Sequence, residues 1–388
     1  MIELINWLLE EGRDSDDLGA ILKEMSERLV AQGIPVRRTS LNMPTIDPTA
    51  AGLTFRWSCD EGLQSLTRTP EDFRGMAFRH SPIRHLLDHG IRSERWKLED
   101  PDEVRKFADF AELRAAGMTE YALRIARFSQ GRTALQGVAL SMTTDRPGGF
   151  NDAELDAVGL LVPALSVVAY RIGLLRVATE TLSAYLGPHS ARRVLQGMIR
   201  RGDTQVISAA LLLADLRGFT ALFDRAPATD VVGWLNQHLE CIGDAVTERG
   251  GEVLKFLGDG LLAVFAVQRG TERACSDAVS AAIDAQSRNA ALNGRRAAAG
   301  GPALDLSIAL HFGDVVYGNI GTARRLDFTV IGPAVNEVSR METLGKSLGH
   351  ALLLSESIAR SCGRPVQALG PHALRGVAGM REMYVLAP

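Results

Sequence analysis

Two aspartates, Asp215 and Asp259, each close an apolar run, in LLLADLRGFT and in EVLKFLGDGLLAVF. The run Val206–Leu213 is short, apolar except for Ser208 and followed by a turn, which predicts a buried strand with Asp215 at its exit. Val253–Phe265 predicts two strands broken at Gly258-Asp259-Gly260, because Asp-Gly between apolar runs is a strong hairpin signal. Paired in one sheet, the two segments bring both carboxylates to one edge. Arg217-Gly218-Phe219-Thr220 is predicted to open a helix whose free first-turn N–H groups hold an anion such as phosphate. Each aspartate alone reads as an N-cap or a turn. Together, beside a phosphate-holding helix start, they suit a divalent cation bound with substrate phosphates.

Other residues extend this chemistry. Pro333 suits the first position of a helix running to about Leu348, which puts Asn336 and Arg340 four apart on one face. An amide and a guanidinium at that spacing suit a ribose and a phosphate. Lys255 lies inside the apolar strand VLKFLG, so it sits at a sheet edge or has a partner, and Thr329 similarly interrupts DFTVIG.

The elements that must position these residues are regular from Ile207 onward. A strand, a helical region over 219–249 broken at Pro227, the Asp259 hairpin and a helix from about Arg273 to Asn293 follow in order. An Ala/Gly/Arg loop to Pro302, separate strands at Leu304–His311, Val315–Tyr317 and Leu326–Ile331, and the Pro333 helix complete the run. Alternation of this kind predicts helices layered on a sheet, an α/β (α+β) fold.

Upstream, one helix is expected over Met1–Gln32, then strands at Val36–Leu41, Leu53–Trp57, Tyr121–Phe128 and Thr133–Thr143, the last two joined around Gln130-Gly131. The stretch 70–99 shows no clear period. A long helix is expected from about Asn151, and its Val158, Leu161, Leu165, Val168, Ile172 and Leu175 suit either pairing with a second subunit or packing on the unit's own sheet. Three segments are predicted: 1–175, a helical linker 176–205, and 206–388.

Length and composition set bounds. At 388 residues two domains are the prior, and 46% hydrophobic with 23% charged residues is an ordinary globular balance. A net charge of −3 argues against a nucleic-acid surface or a polybasic membrane anchor. The four cysteines have no paired or metal-type spacing and read as free thiols of a reducing compartment. The acidic first residues do not suit a signal peptide, and the most apolar stretch, Leu160–Leu175, is interrupted by Pro163, Tyr170, Arg171 and Gly173. A cytoplasmic protein without a membrane span is expected.

The segments LLLADLRGFT, EVLKFLGDGLLAVF, LHFGDVVYGNIG and DFTVIGPAVNEVSRME, in that order, resemble the class III nucleotidyl cyclase catalytic domain over about Val206 to the C-terminus. The resemblance implies a ferredoxin-like βααβαββ core, a head-to-tail homodimer with ATP at the interface, and two Mg²⁺ or Mn²⁺ ions per active site. It implies that Asp215, Asp259 and the carbonyl of Leu216 bind metal, that Lys255 and Thr329 read adenine, and that Asn336 and Arg340 serve the transition state. It also implies a substrate contact by Arg375 and leaves His350 where some members carry a phosphate-binding arginine; Phe219 and Thr220 are substrate-binding candidates from the predicted helix start. A Lys/Thr pair is typical of a bacterial adenylyl cyclase subgroup, whereas guanylyl cyclases tend to carry glutamate at the lysine position. A guanylyl cyclase and a catalytically silent nucleotide-binding module are the alternatives. The upstream order resembles a GAF-type sensor domain, especially over Gly137–Leu165, which implies an unidentified small-molecule or protein regulator.

Overall fold

The chain divides after Thr181 into two units, Met1–Thr181 and Leu182–Pro388, each built on its own sheet. The computed structural model describes residues 1–45, 52–128 and 135–388, so the expected turn at Gln130-Gly131 lies outside the described residues.

In the first unit α1 (Ile2–Asp14) and α2 (Leu18–Ala31) precede β1 (Arg38–Pro44), β2 (Gly52–Ser58) and β3 (Gly62–Arg68). Short helices α3 (Pro70–Arg74), α4 (Met76–Arg79) and α5 (Pro82–His89) lead to β4 (Ser93–Lys97). Then come α6 (Pro101–Val104), α7 (Ala108–Ala115), β5 (Glu120–Arg127), β6 (Gly137–Thr144) and α8 (Asp152–Leu186), which crosses the boundary between units. The strands form one antiparallel sheet in the order β3-β2-β1-β6-β5-β4. Strand period sorts the residues: Leu41, Met43, Val138, Leu140 and Met142 face a core shared with α1, α2 and α8, while their alternates face the other side.

Several expectations change here. The single N-terminal helix is two, because Asp17 caps α2 by accepting from the N–H groups of Gly19 and Ala20 at 2.8 and 3.1 Å. β3 and β4 escaped notice: β3 is a mostly exposed edge strand with no apolar alternation. The long helix expected from about Asn151 is formed: α8 runs for 35 residues through Pro163, since apolar contacts on both sides of the proline outweigh one lost backbone bond. It is one helix long and apolar enough by composition to cross a membrane, contrary to the sequence reading, and 44% of its most apolar window is buried. Its Val158, Leu161, Leu165, Val168 and Ile172 pack in the unit's own core, so that face is not available to a second subunit. A different stripe, Leu160, Val167 and Leu174 at seven-residue spacing, is 63%, 60% and 41% exposed.

In the second unit α9 (Pro188–Leu195) precedes β7 (Thr204–Leu216), a single 3₁₀ turn (Phe219–Leu222), α10 (Ala228–Glu248), β8 (Glu252–Leu257), β9 (Gly260–Ala266) and α11 (Thr271–Ala298). β10 (Leu306–Gly321), β11 (Leu326–Ile331), α12 (Pro333–Leu348), β12 (Leu352–Ser355), α13 (Glu356–Ser361), β13 (Val366–Ala373) and β14 (Met380–Leu386) follow. The strand order is β13-β14-β12-β10-β7-β9-β8, with β11 on β10 and only the β10–β12 pair parallel. Ala210, Leu212, Ala214 and Leu216 of β7 pack toward α10 and α11, and Ala209 and Leu211 toward α12. Against the formula βααβαββ, the first helix after β7 shrinks to the 3₁₀ turn and the hairpin supplies two strands. β10 is one strand where two were expected, because it pairs with β7 continuously from Leu306–Leu216 to Gly318–Thr204. α11 extends through much of the expected loop, whose alanines and arginines are strong helix formers. All four cysteines are free thiols.

A buried carboxylate ties α9 to this sheet. Glu252 accepts from Ser190 N–H at 3.0 Å, Ser190 Oγ at 2.8 Å and the Tyr317 hydroxyl at 2.9 Å. Glu252→Ala strands these donors, so urea unfolding of the second unit is expected to lose on the order of 3 kcal/mol. An unchanged midpoint and slope would show that the network does not hold α9.

Candidate active site

Asp215 is the next-to-last residue of β7, paired in register with Ser307 of β10. The strand ends with Arg217 N–H donating to the Asp305 carbonyl at 2.8 Å, and Gly218 turns the chain at φ 70°, a conformation that favours glycine. The expected helix start is not formed: after Gly218 comes only the four-residue 3₁₀ turn, too short for an α-helical anion site. In it Phe219 is buried and Thr220 is exposed. The side chain of Leu216 is buried in the core.

The Asp259 turn is pressed against the end of β7. Leu261 pairs with Ala214, and a β-carbon at Gly260 would lie 2.4 Å from the Ala214 carbonyl oxygen and 2.8 Å from Asp215 Oδ1. Only glycine fits, so the hairpin is held close enough for the two carboxylates to interact. Burial first, and the neighbouring Asp215 charge second, raise the Asp259 carboxyl above the usual range.

A lysine offsets this repulsion. Lys346 on α12 ion-pairs with Asp215 and, at 3.0 Å, with Glu342 one turn earlier. Burial lowers its pKa, but the bonds to Asp215 and Glu342 more than reverse this and hold it above the usual lysine range. Sequence reading missed Lys346. Its signal was the i,i+4 pair Glu342–Lys346, whose acid occupies a buried position on the helix face toward the sheet.

A second cluster forms on the exposed side of β8 and β11. Lys255 follows a bulge between Val253 and Lys255, is exposed, and ion-pairs with Asp327. Thr329 lies two residues along β11 from Asp327, on the same face and half-buried. Asp327 was also missed, although period 2 in LDFTVI places it beside Thr329.

Asn336 and Arg340 project from the exposed face of α12, and neither side chain makes a hydrogen bond or ion pair among the described residues. Arg375 is exposed in the loop between β13 and β14. The carbonyl of His350 accepts from Arg217 Nη2 at 2.6 Å. Thus the chain brings Asp215 to Asp259 and Lys255 to Asp327 and Thr329. No hydrogen bond or ion pair joins the carboxylates to Lys255, Asn336, Arg340 or Arg375 among the described residues.

Among the described residues there is no group of three or more His, Cys, Asp and Glu side chains arranged for a metal ion. Two hard carboxylates still fit Mg²⁺ or Mn²⁺, which are commonly held by one or two carboxylates plus substrate phosphates rather than by an all-protein cage. Removing the competing ammonium should favour such an ion. Lys346→Gln is expected to melt at a lower temperature without metal, and to gain more thermal stability from Mn²⁺ than the unaltered chain does. An equal or smaller Mn²⁺-induced rise would show that Lys346 does not compete with cations.

Residues 203–388 match the family model described as "Adenylate and Guanylate cyclase catalytic domain". An adenylate cyclase of Anabaena cylindrica is 35% identical over 171 residues, 43% of this chain and 33% of that relative. Adenylate cyclase 1 of Rhizobium meliloti is 26% identical over 175 residues, 45% of this chain and 26% of the relative. The chain therefore spans about a third or less of the curated relatives it matches. The crystal structure of the adenylyl cyclase CyaB from P. aeruginosa is 26% identical, covering 48% of this chain and 96% of that one with a TM-score of 0.45.

Proposed function

We propose that this chain, whose residues 203–388 match an adenylate and guanylate cyclase catalytic domain, is an adenylyl cyclase converting ATP to 3′,5′-cyclic AMP and pyrophosphate. The observation that carries the reading is the approach of the Asp259 turn to Asp215, enforced by Gly260. In this reading the 3′-hydroxyl oxygen bonds to the α-phosphorus and gives its proton to water or to a substrate phosphate oxygen, while the bond from the α-phosphorus to the pyrophosphate oxygen breaks and pyrophosphate leaves.

Asp215, Asp259 and the Leu216 carbonyl would hold two Mg²⁺ or Mn²⁺ ions. Those ions supply a lowered pKa for the attacking hydroxyl and charge neutralisation on the triphosphate. Arg340 opposes the charge that builds on the α-phosphate, a contribution typically worth ~10²-fold or more in rate. Asn336 orients the ribose from one turn away on the same helix face. Thr220, exposed on the turn after Asp215, and Arg375 meet the phosphates, while the buried Phe219 packs in the core beneath that turn. Lys255, steadied by Asp327, and Thr329 read the base: the ammonium donates to the adenine N1 acceptor and the Thr329 hydroxyl accepts from the N6 amine.

The site is completed by a second copy of the chain, with the carboxylates of one protomer opposite Lys255, Asn336 and Arg340 of the other. That neither Asn336 nor Arg340 has a side-chain partner among the described residues, on the exposed face of α12, supports this division. The exposed Leu160–Val167–Leu174 stripe supports self-association in the first unit. That unit is read as a GAF-like regulatory domain responding to a small molecule or protein. The six-stranded sheet flanked by helices supports this assignment. The protein is read as cytoplasmic, without nucleic-acid or membrane partners; its free thiols and near-neutral charge support this.

With Mn²⁺ or Mg²⁺, turnover of ATP is expected to exceed that of GTP; clear preference for GTP would replace this reading with a guanylyl cyclase, and no turnover of either would favour a silent module. Shared sites make a second prediction. Asp215→Ala and Arg340→Ala chains, each inactive alone, should recover activity when mixed, since one interface of the heterodimer keeps every group. Heterodimers shown by differential tagging but lacking activity would refute the shared site.

A further inference from the structure

Within the first unit, a cavity of about 1290 Å³ lies between the sheet face turned away from α8 and the helices α5 and α7. This exceeds the usual small-molecule range of ~300–1,000 Å³, so the space is ample for an organic ligand. Its floor is unusual for a buried sheet face. Where the opposite face of β1 and β6 carries Leu41, Met43, Leu140 and Met142, the alternates here are Arg38, Ser40, Ser141 and Thr143. Register places Ser40 between Arg56 and Ser141, and Arg38 beside Thr143.

Arg38 and Arg56 share this floor; Arg68 of β3, bonded to Thr54 Oγ1, and Arg127 of β5, bonded to the Leu87 carbonyl, also line the cavity. Burial first, and the charge of Arg56 second, hold Arg38 below the usual arginine range. Neither Arg38 nor Arg56 has an ion pair among the described residues, and Arg56 Nε and Thr143 Oγ1 are buried without hydrogen-bond partners. Of the carboxylates lining the cavity, Asp72 is engaged in capping α3, accepting from Thr69 N–H at 2.7 Å. Asp109 and Glu112 lie on α7, and Asp109 acts on Arg38 only as a weaker influence than burial and Arg56. The roof is apolar, with Phe110 and Leu113 of α7 and Ile83 and Leu87 of α5.

Like charges are costly to bury together without a counter-ion, whereas a guanidinium pair is suited to bidentate contacts with a carboxylate or phosphate. We propose that this cavity binds a small organic anion whose carboxylate or phosphate is held by Arg38 and Arg56 and whose apolar body lies against Phe110 and Leu113. The site is separate from the cyclase residues and the proposal does not rest on cyclase activity. It assigns a ligand chemistry to a unit for which none was legible in the sequence.

The test uses the full chain and two fluorescent probes with the same ring system. 8-Anilinonaphthalene-1-sulfonate carries an anionic head, and N-phenyl-1-naphthylamine lacks it. The sulfonate is expected to bind saturably at one site per chain, and Arg38→Gln or Arg56→Gln to weaken it by about tenfold or more while leaving the neutral probe unchanged. Leu113→Trp, which fills the apolar side, should remove both probes, and Arg105→Gln on the exposed surface should remove neither. Circular dichroism melting verifies that each variant is folded. On the unaltered chain, displacement of the sulfonate by benzoate or by phenyl phosphate identifies the preferred head group without any substitution. Loss of saturable sulfonate binding in the unaltered chain, equal affinity in the folded arginine variants, or displacement by neither competitor would overturn the proposal.

Discussion

The second unit depends on a steric constraint with an electrostatic consequence. At Gly260 the hairpin comes so close to the Ala214 carbonyl that no β-carbon fits. That contact fixes the Asp259 turn beside Asp215, and the resulting proximity of two negative charges is what the neighbouring groups must manage. Asp259 responds with a raised pKa, and Lys346 places an ammonium on Asp215. A carboxylate pair held together by backbone packing and neutralised by a lysine ammonium is suited to exchange that ammonium for a divalent cation. The proposed chemistry uses this exchange.

The same unit separates two tasks in space. In the proposed reading, base recognition falls to β8 and β11, where Asp327 pairs with Lys255. In the same reading, charge management falls to the β7 end, the hairpin turn and α12. α12 contributes to both sides: its inward face carries Glu342 and Lys346, and its outward face carries Asn336 and Arg340. An amide and a guanidinium left unpaired on an exposed helix face are ready for groups from outside the chain. The first unit shows a comparable sorting by strand period, with one sheet face apolar against helices and the other partly cationic above a cavity.

Much of the second unit was legible because its signals are local. Asp-Gly between apolar runs fixed the hairpin, and Pro333 marked the first residue of α12. The placements that failed depended on non-local pairing. β10 crosses Gly313-Asp314 because β7 offers it a continuous partner, which no window of sequence reveals. β3 had no alternation to detect, being exposed at the sheet edge. In the site, the two aspartates announced themselves by interrupting apolar runs. Lys346 and Asp327 did not, since each is an ordinary charge on its own element and becomes notable only through the residue it meets.

The central claim is that Asp215 and Asp259 act together on divalent cations. Electron paramagnetic resonance titration of Mn²⁺ into the protein with an unreactive ATP analogue tests it most directly. The account predicts two bound Mn²⁺ ions per active site, with at least one lost in a folded Asp259→Asn variant. Unchanged Mn²⁺ stoichiometry and affinity in folded Asp259→Asn and Asp215→Asn chains would contradict it.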